Sequence, residues 1–372
     1  MGQSASVPVE GEERACRVLV LGERSDAALS ELAHLPRDAE VVAVAPTIEE
    51  LLKGDAAFSD ANVLLVASGS RATLSPVLKH LPHLVWVHSV FAGLDHLLCP
   101  ALVDDETIVV TNAKGLFSSS LAEYVLAAAA FFAKDFPRLM RNKADRRWDR
   151  FCVQELRGAC MGILGYGSIG QVSAAHMSSL RSITAIASGL RETRQGVRHA
   201  GHRAPEVQSP APRHVSGSHV SRRPEQSQDD DLVDEVMGFA DLDRLMATAD
   251  YLVVAAALTP QTRGMLSKRH FVHSKKDQVL INVGRGPLIV EADLIEALTD
   301  GTLKGAALDV FTEEPLPVGS PLWGLPNVLI SPHNADMTAD FRHQSVRLFC
   351  DNCYKFLGGD PLVNVVDKRA GY

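Results

Sequence analysis

No stretch of this sequence approaches the roughly 20 consecutive apolar residues that a helix needs to cross a membrane. Its longest apolar run, residues 125–133, is bounded by Glu123 and Lys134 and predicts a buried helix. Positive charge is not in excess either, because the 372 residues carry a formal net charge of −8. The sequence therefore predicts no membrane span, and its overall charge gives no support for binding nucleic acid.

Cysteine is scarce and scattered. The six copies are Cys16, Cys99, Cys152, Cys160, Cys350 and Cys353. Most of them lie within apolar segments, which is typical of reduced thiols in the cytoplasm and argues against a disulfide framework. The last two form a CxxC, but no second pair exists in the sequence to complete a zinc site. We therefore expect structural thiols on a helix face and no bound metal.

The first residues, MGQSAS, place Gly2 and Ser6 as in an N-myristoylation signal. Motifs this short recur by chance, and one acyl chain alone binds membranes only marginally. We expect a cytoplasmic protein that contacts a membrane only if Gly2 is acylated. The alternative is a frayed, polar N-terminus.

Short apolar runs alternate with helix-like stretches along most of the chain. A first series of such runs lies within residues 17–110, and a second series begins at Met161 and ends at His333. This alternation is typical of repeated βα units, which build parallel sheets with helices on their faces. The predicted fold class is α/β, with two doubly wound parallel-sheet domains.

The order of the runs predicts that one domain is inserted into the other. Residues 1–117 and 336–372 would form a split, flavodoxin-like domain, because the helix-like segment 337–357 would run back toward the first series of strands. Residues 118–335 would form the inserted domain.

The boundary between the two domains coincides with a predicted helix start. Three serines, Ser118–Ser120, precede a long apolar stretch, and Glu123 follows Ser120 by three residues, as in a capping box. The helix is apolar over much of its circumference, so we expect it to lie buried between the two domains.

The inserted domain begins with a strand, a glycine-rich turn and a helix. The turn reads Gly165-Tyr166-Gly167-Ser168-Ile169-Gly170. In such a turn the first glycine permits the tight bend, the second lets the backbone approach a pyrophosphate, and the third lets helix and strand pack closely. The helix N-terminus then receives the phosphates. The context predicts a Rossmann domain whose dinucleotide site includes Gly165, Gly167, Ser168, Ile169 and Gly170.

The ribose of a dinucleotide is normally bound at the end of the next strand, where Asp or Glu selects NAD. This sequence has Ser188-Gly189-Leu190-Arg191 there and no carboxylate. Ser188 and Arg191 could hold a 2′-phosphate, which favours NADP and leaves NAD as the alternative. Residues 193–232 follow almost at once, with little apolar periodicity and four irregularly spaced histidines. They predict a disordered surface insertion without a metal site.

Three apolar strands near the end of the chain are each followed by a polar residue whose setting indicates chemistry. These residues are Arg285 in VLINVGRGPLI, Glu314 in GAALDVFTEEPLP and His333 in NVLISPHN. The carboxyl ends of parallel strands share one edge of a sheet, where ligands bind. There an arginine can bind a carboxylate, a histidine can move a proton, and a carboxylate can orient that histidine. Glu313 competes with Glu314, which is preferred because it directly precedes Pro315. The set is suited to reducing a 2-keto acid.

Together these motifs resemble the D-isomer-specific 2-hydroxyacid dehydrogenase family. The resemblance covers nearly the whole chain apart from the N-terminal tail and the insertion. It includes VHSVFAGLDHL at 87–97, TNAKGLFSSSLAEYVLAA at 111–128 and the ending NVVDKRAGY. It implies a homodimeric oxidoreductase that transfers a hydride between NAD(P)H and a small 2-keto acid, of the glyoxylate or hydroxypyruvate type.

The resemblance also implies roles for individual residues. The catalytic positions are those of Arg285, Glu314 and His333, the last as general acid and base. The substrate carboxylate would bind Arg285 and the backbone at Ala92 and Gly93. Asp309 would contact the nicotinamide amide, and the further cofactor positions are Thr262, Val283 and Gly284.

Two other interpretations stay open. A nucleotide-sensing binding protein of the corepressor type also resembles this family, and it would bind the cofactor with little or no turnover. A chain whose insertion spoils the adenosine pocket would be inactive. The sequence does not identify which 2-keto acid is the substrate.

Overall fold

A computed structural model of the chain describes residues 15–53, 58–177, 180–187 and 232–371. Gly2, Ser188 and Arg191 lie outside the described residues, as does the predicted insertion up to its last residue, Leu232. The acylation signal, the ribose-binding pair and the character of the insertion therefore stay predictions.

Among the described residues, the first sheet has five parallel strands. They are β1 (Cys16–Leu21), β2 (Ala39–Ala45), β3 (Val63–Val66), β4 (Trp86–Ser89) and β5 (Val109–Thr111). The central strand β3 is buried throughout, as expected for a valine- and leucine-rich strand covered on both faces. The spatial order β2-β1-β3-β4-β5 is the flavodoxin-like order, so the predicted class of this domain is confirmed.

The second sheet has seven parallel strands within the described ranges. They are β6 (Cys160–Leu164), β7 (Ser182–Ile186), β8 (Glu235–Met237), β9 (Tyr251–Val254), β10 (Val279–Asn282), β11 (Gly305–Leu308) and β12 (Val328–Ile330). The order β12-β11-β10-β9-β6-β7-β8 runs outward in both directions from β6, as in a Rossmann fold, so this prediction is also confirmed. The sequence did not reveal β8, because two of its three residues are exposed and no apolar run marks it.

Helices cover the faces of both sheets. They are α1 (Ile48–Lys53), α2 (Arg71–Leu78), α3 (Pro100–Val103), α4 (Ser118–Ala133), α5 (Phe136–Ala144), α6 (Ser168–His176), α7 (Leu242–Thr248), α8 (Lys268–Phe271), α9 (Glu291–Thr299) and α10 (Phe341–Gly358). On the first sheet, α1 and α2 bury one face, while α10 and the 3₁₀ helix Ala27–His34 bury the other. The CxxC thiols Cys350 and Cys353 are buried in α10. None of the helices described here is both long and apolar enough for a membrane span.

The start of α4 differs from the prediction. The N-cap is Phe117, no side chain caps the helix, and α4 begins at Ser118, so the predicted capping box is wrong. The Ser120 hydroxyl instead donates to the carbonyl of Ala335 at 2.6 Å. Because the helix starts before Ser120, this serine lies within the first turn and ties the helix to the loop beyond β12.

The two sheets have separate buried cores. A small apolar cluster of the first proposed domain brings together the rings of Phe117 and Phe341, whose centroids are 4.2 Å apart. The separate cores support the division into 1–117 plus 336–372 and 118–335, which we propose as the domain boundaries.

One histidine in the core of the first sheet makes the stability of the protein depend on pH. His88, in β4, is fully buried, and its Nδ1 lies 2.7 Å from the Thr111 hydroxyl. Burial lowers the pKa of His88 from 6.5 to about 3. The folded protein keeps this ring neutral, whereas the unfolded chain takes up a proton below its ordinary pKa. The burial of His88 therefore lowers the free energy of unfolding progressively as the pH drops from about 6.5 toward 3.

Replacing His88 with asparagine should make the stability less dependent on pH. Between about pH 6.5 and about pH 5 the unmodified protein should lose up to about 2 kcal/mol through this group, because each pH unit corresponds to about 1.4 kcal/mol. Urea unfolding at both pH values measures the loss in each protein, and the remaining titratable groups are common to both. The same pH dependence in the two proteins would contradict a buried neutral His88.

Candidate active site

The carboxyl ends of both sheets border one cleft of about 650 Å³. Most of the lining residues fall in segments that follow strands, within 91–96, 112–118, 165–169, 255–258, 283–287, 309–314 and 333–336. In these segments, residues up to 117 and Asp336 belong to the first proposed domain, and residues 118–335 belong to the second. Ligands of open α/β sheets bind at this edge, so the cleft is the candidate active site.

The glycine-rich turn forms one wall of the cleft. Gly165 has φ of 102°, and a Cβ there would lie 2.4 Å from the backbone nitrogen of Ala256. Gly167 has open space where a Cβ would be, and it is the N-cap of α6 without a capping side chain. A Cβ on Gly170 would come within 2.5 Å of the Gly165 carbonyl oxygen. The turn thus combines the tight bend, the open approach and the close packing that a pyrophosphate site needs.

The other predicted cofactor positions divide into two groups. Ser168 and Ile169 line the cleft, and so do Val283, Gly284 and Asp309. Thr262 does not. Its buried hydroxyl donates to the carbonyl of Ala257 at 2.7 Å. Because Ala257 is part of the lining, Thr262 supports the wall of the cleft from behind.

His333 and Glu314 meet in the cleft. Nδ1 of His333 lies 2.8 Å from Oε2 of Glu314. A carboxylate only accepts hydrogen bonds, so Nδ1 carries a proton and Nε2 is the nitrogen left for a ligand. The other carboxylate oxygen, Oε1, accepts from the backbone nitrogen of Phe311 at 2.9 Å and fixes the glutamate. Glu313 does not line the cleft, so Glu314 is the carboxylate that serves His333.

The loop that carries His333 is held by Asp309. The buried carboxylate accepts from the Ser331 hydroxyl at 2.7 Å and from the backbone nitrogens of Asn334 and Ala335 at 3.1 and 3.2 Å. His333 has a left-handed backbone, with φ of 53°, which few side chains adopt. The bonds to Asp309 hold the loop in this conformation, so Asp309 positions the histidine as well as lining the cleft.

Arg285 follows β10 by three residues. Its Nε donates to Oδ1 of Asp95 at 3.1 Å, and its Nη1 donates to the carbonyl of Gly284 at 2.8 Å. Nη2 lies against Gly93, where a Cβ would come within 1.5 Å of it. The arginine is therefore in contact with the Ala92–Gly93 loop that is predicted to bind a substrate carboxylate.

Four titratable residues that the sequence did not point to also line the cleft, namely Asp95, His96, Lys114 and Asp336. Burial raises the pKa of Asp336. Burial also opposes ionisation of Asp95, but the charge and hydrogen bond of Arg285 outweigh it and lower the pKa of Asp95. Burial lowers the pKa of His96. The one sequence signal for Asp95 is its place two residues after Gly93, in the loop already singled out.

The cleft can therefore bind an anion at a fixed guanidinium, exchange a proton at Nε2 of a histidine, and accept a phosphate at a helix N-terminus. In the part of the chain that the structure describes, no group of three His, Cys, Asp or Glu side chains is arranged to hold a metal ion.

Comparison with known proteins agrees with this picture. The family model for the NAD binding domain of D-isomer specific 2-hydroxyacid dehydrogenases matches residues 199–335. The D-3-phosphoglycerate dehydrogenase of Methanocaldococcus jannaschii is 30% identical over 328 residues, which are 88% of this chain and 55% of that relative, so this chain spans only about half its length. The glyoxylate reductase of Thermofilum pendens is 27% identical over 330 residues, 87% of this chain and 86% of that protein.

A solved structure shares the two-sheet architecture. The D-isomer specific 2-hydroxyacid dehydrogenase from Xanthobacter autotrophicus Py2, in complex with NADPH and MES, superposes with a TM-score of 0.71 at 26% identity. The similarity covers 96% of this chain and 99% of that one. The likeness therefore includes both sheets and the cleft between them.

Proposed function

Because this chain belongs to the D-isomer-specific 2-hydroxyacid dehydrogenase family of NAD(P)-dependent oxidoreductases, we propose that it reduces a small 2-keto acid to the D-2-hydroxy acid. Glyoxylate and hydroxypyruvate are the proposed types of substrate. The observation that carries the proposal is the meeting of His333, Glu314 and Arg285 in one cleft, although they follow three different strands.

In the proposed reaction, Arg285 binds the substrate carboxylate and polarises the neighbouring keto group. Its guanidinium is held by Asp95 and Gly284, so it loses little further freedom when a carboxylate binds. The backbone of Ala92 and Gly93 lies on the same side of the cleft and is the proposed second part of the carboxylate site.

His333 is the proposed general acid. Its Nε2 would deliver a proton to the carbonyl oxygen as negative charge develops there. Glu314 holds Nδ1 and so keeps the ring in one orientation, with Nε2 left to donate the proton. In the reverse direction the same nitrogen would accept the proton from the hydroxy acid.

The cleft fits a nicotinamide dinucleotide. The open approach at Gly167 and the N-terminus of α6 would hold its pyrophosphate, while Val283, Gly284 and Asp309 would line the nicotinamide side. When bound, the reduced cofactor supplies the hydride for the keto carbon. We propose NADP over NAD, because residues 187–191, which directly follow β7, contain no carboxylate and the structurally similar Xanthobacter autotrophicus protein binds NADPH.

The experiment that tests the proposal is a turnover assay with both cofactors and both substrates. Purified protein should oxidise NADPH when glyoxylate or hydroxypyruvate is added, and it should oxidise NADH less efficiently. The absorbance of the reduced nicotinamide measures the rate, and samples without a keto acid are the control. Tight cofactor binding without turnover would favour the nucleotide-sensing binding protein instead. Failure to bind either cofactor would favour an insertion that spoils the adenosine pocket.

We also propose that the protein is a homodimer. The helix α5 has no buried residue. Its apolar side chains are exposed, at 41% for Phe136, 44% for Leu139 and 60% for Met140, and Trp148 just beyond the helix is 95% exposed. Monomeric soluble proteins rarely expose so large an apolar surface, and a second copy would cover it. Sedimentation should give the mass of a dimer, and a variant with Leu139→Lys and Met140→Lys should sediment as a monomer.

A location in the cytoplasm is proposed from the thiols. All six cysteines are free, as expected in a reducing compartment. Fractionation of cells that express the protein tests this location, and recovery with membranes would point to acylation of Gly2.

A further inference from the structure

We propose that Asp95 is a positioning residue for Arg285, and that Gly93 and Asp95 form a seat in which the guanidinium is held beside the substrate. This inference rests on the proposed function, because it concerns how the arginine of that site is oriented. It adds a residue that acts on the reaction only through Arg285.

The first observation is that each guanidinium nitrogen of Arg285 has a defined place. Nε donates to Asp95 and Nη1 donates to the carbonyl of Gly284. Nη2 packs against Gly93 and, among the described residues, donates to no protein acceptor. With Nε and Nη1 both engaged, the plane of the group is fixed, and Nη2 is the nitrogen with both hydrogens left for a carboxylate.

The second observation is that the seat has room only because residue 93 is glycine. A Cβ there would lie 1.5 Å from Nη2 and 2.8 Å from Cζ of Arg285. It would also lie 3.2 Å from Oδ1 of Asp95. The backbone of Gly93, the acid and the guanidinium are therefore in mutual contact, so a carboxylate that binds the Gly93 backbone is also within reach of Nη2.

The third observation is that the loop bearing Asp95 is itself anchored. Arg71, at the start of α2, donates from Nη2 to the carbonyl of Asp95 at 2.6 Å, and its backbone nitrogen donates to the carbonyl of His96 at 2.9 Å. Because the carbonyls of Asp95 and of the residue that follows it are both tied to α2, Asp95 can hold Arg285 in place without moving toward it.

The pair also joins the two proposed domains. Asp95 follows β4 of the first sheet and Arg285 follows β10 of the second, 190 residues apart in sequence. The arginine is thus held by Asp95 only where these two loops are adjacent, and the carboxylate site contains residues of both loops.

The test is a double-mutant cycle between Asp95→Ala and Arg285→Lys. In the unmodified protein, Asp95→Ala should lower kcat/KM for glyoxylate by about 10- to 100-fold, which corresponds to losing a hydrogen bond between charged groups. In the Arg285→Lys protein the same change should cost no more than about twofold, because the two residues act as a unit. Asp95→Asn, which keeps an acceptor oxygen, should restore part of the loss.

The affinity for NADPH and the thermal unfolding temperature should be unchanged in both single variants. The matched control is Asp104→Asn, which removes an exposed carboxylate of the first domain that does not line the cleft. Equal losses from Asp95→Ala in the two backgrounds would overturn the inference. If the unmodified protein reduces no 2-keto acid, the proposed function fails, and the same cycle run on binding of oxamate, a non-reacting analogue, still decides whether Asp95 acts through Arg285.

Discussion

Replacing His333 with alanine should lower kcat/KM for reduction of glyoxylate by at least about 100-fold, the usual contribution of a general acid. The change removes Nε2, the proposed proton donor, and among the described residues it leaves Glu314 with the backbone nitrogen of Phe311 as its hydrogen-bond partner. The exposed position of His333 means that no core packing is lost. Steady-state rates with NADPH as the reductant measure the effect.

Two controls separate lost chemistry from lost structure in this variant. The affinity for NADPH should be unchanged, because the glycine-rich turn is on a different loop. His273→Ala should react at the normal rate, since its half-exposed ring lies 3.7 Å from Asp243 and does not line the cleft. Near-normal turnover by His333→Ala would rule out this residue as the proton donor.

Replacing Arg285 with methionine should also lower kcat/KM strongly, by about 100- to 1,000-fold. The change removes the charge that binds the substrate carboxylate and the donor that polarises the keto group, so KM should rise and kcat should fall together. It also leaves Asp95 without the charge and hydrogen bond of Arg285, and the pKa of Asp95 should rise because burial is then opposed less. Rates over a range of glyoxylate concentrations separate the two constants.

Arg285→Lys distinguishes charge from geometry. A lysine keeps the positive charge but lacks the planar fork that contacts Asp95, Gly284 and Gly93 together, so it should recover only part of the activity. Arg157→Met is the matched control. That side chain is 84% exposed and lies near the amino end of β6, whereas the cleft lies at the carboxyl ends of the strands. Normal substrate affinity in Arg285→Met would show that the carboxylate binds elsewhere.

Much of the fold could be predicted because buried parallel strands are recognisable as short apolar runs. Ten of the runs correspond to the strands β1–β7 and β9–β11, and an eleventh to β12, which is only half-buried. The exception, β8, is a short edge strand that gains its place by pairing with β7 and not by its own composition. The prediction for the start of α4 is wrong for a similar reason. The Ser120 hydroxyl does not cap the helix but donates to the carbonyl of Ala335, 215 residues further along the chain.

The candidate site likewise contains residues that could be predicted from the sequence and contacts that could not. Arg285, Glu314 and His333 could be predicted because each comes just after a strand, and strand ends of one sheet must meet. The role of Asp309 as the anchor of the histidine loop depends on backbone nitrogens 25 and 26 residues further on. The contact between Asp95 and Arg285 depends on how two sheets approach each other, and no local pattern in the sequence encodes that distance.

The central claim is that this cleft reduces a 2-keto acid through His333. Its most direct test is the product formed from hydroxypyruvate and NADPH, separated on a chiral column, in the unmodified protein and in His333→Ala. The account predicts one D-glycerate for each NADPH oxidised by the unmodified protein, and a rate at least about 100-fold lower in the variant. Binding of NADPH with no glycerate formed, or D-glycerate formed at equal rates by both proteins, would contradict it.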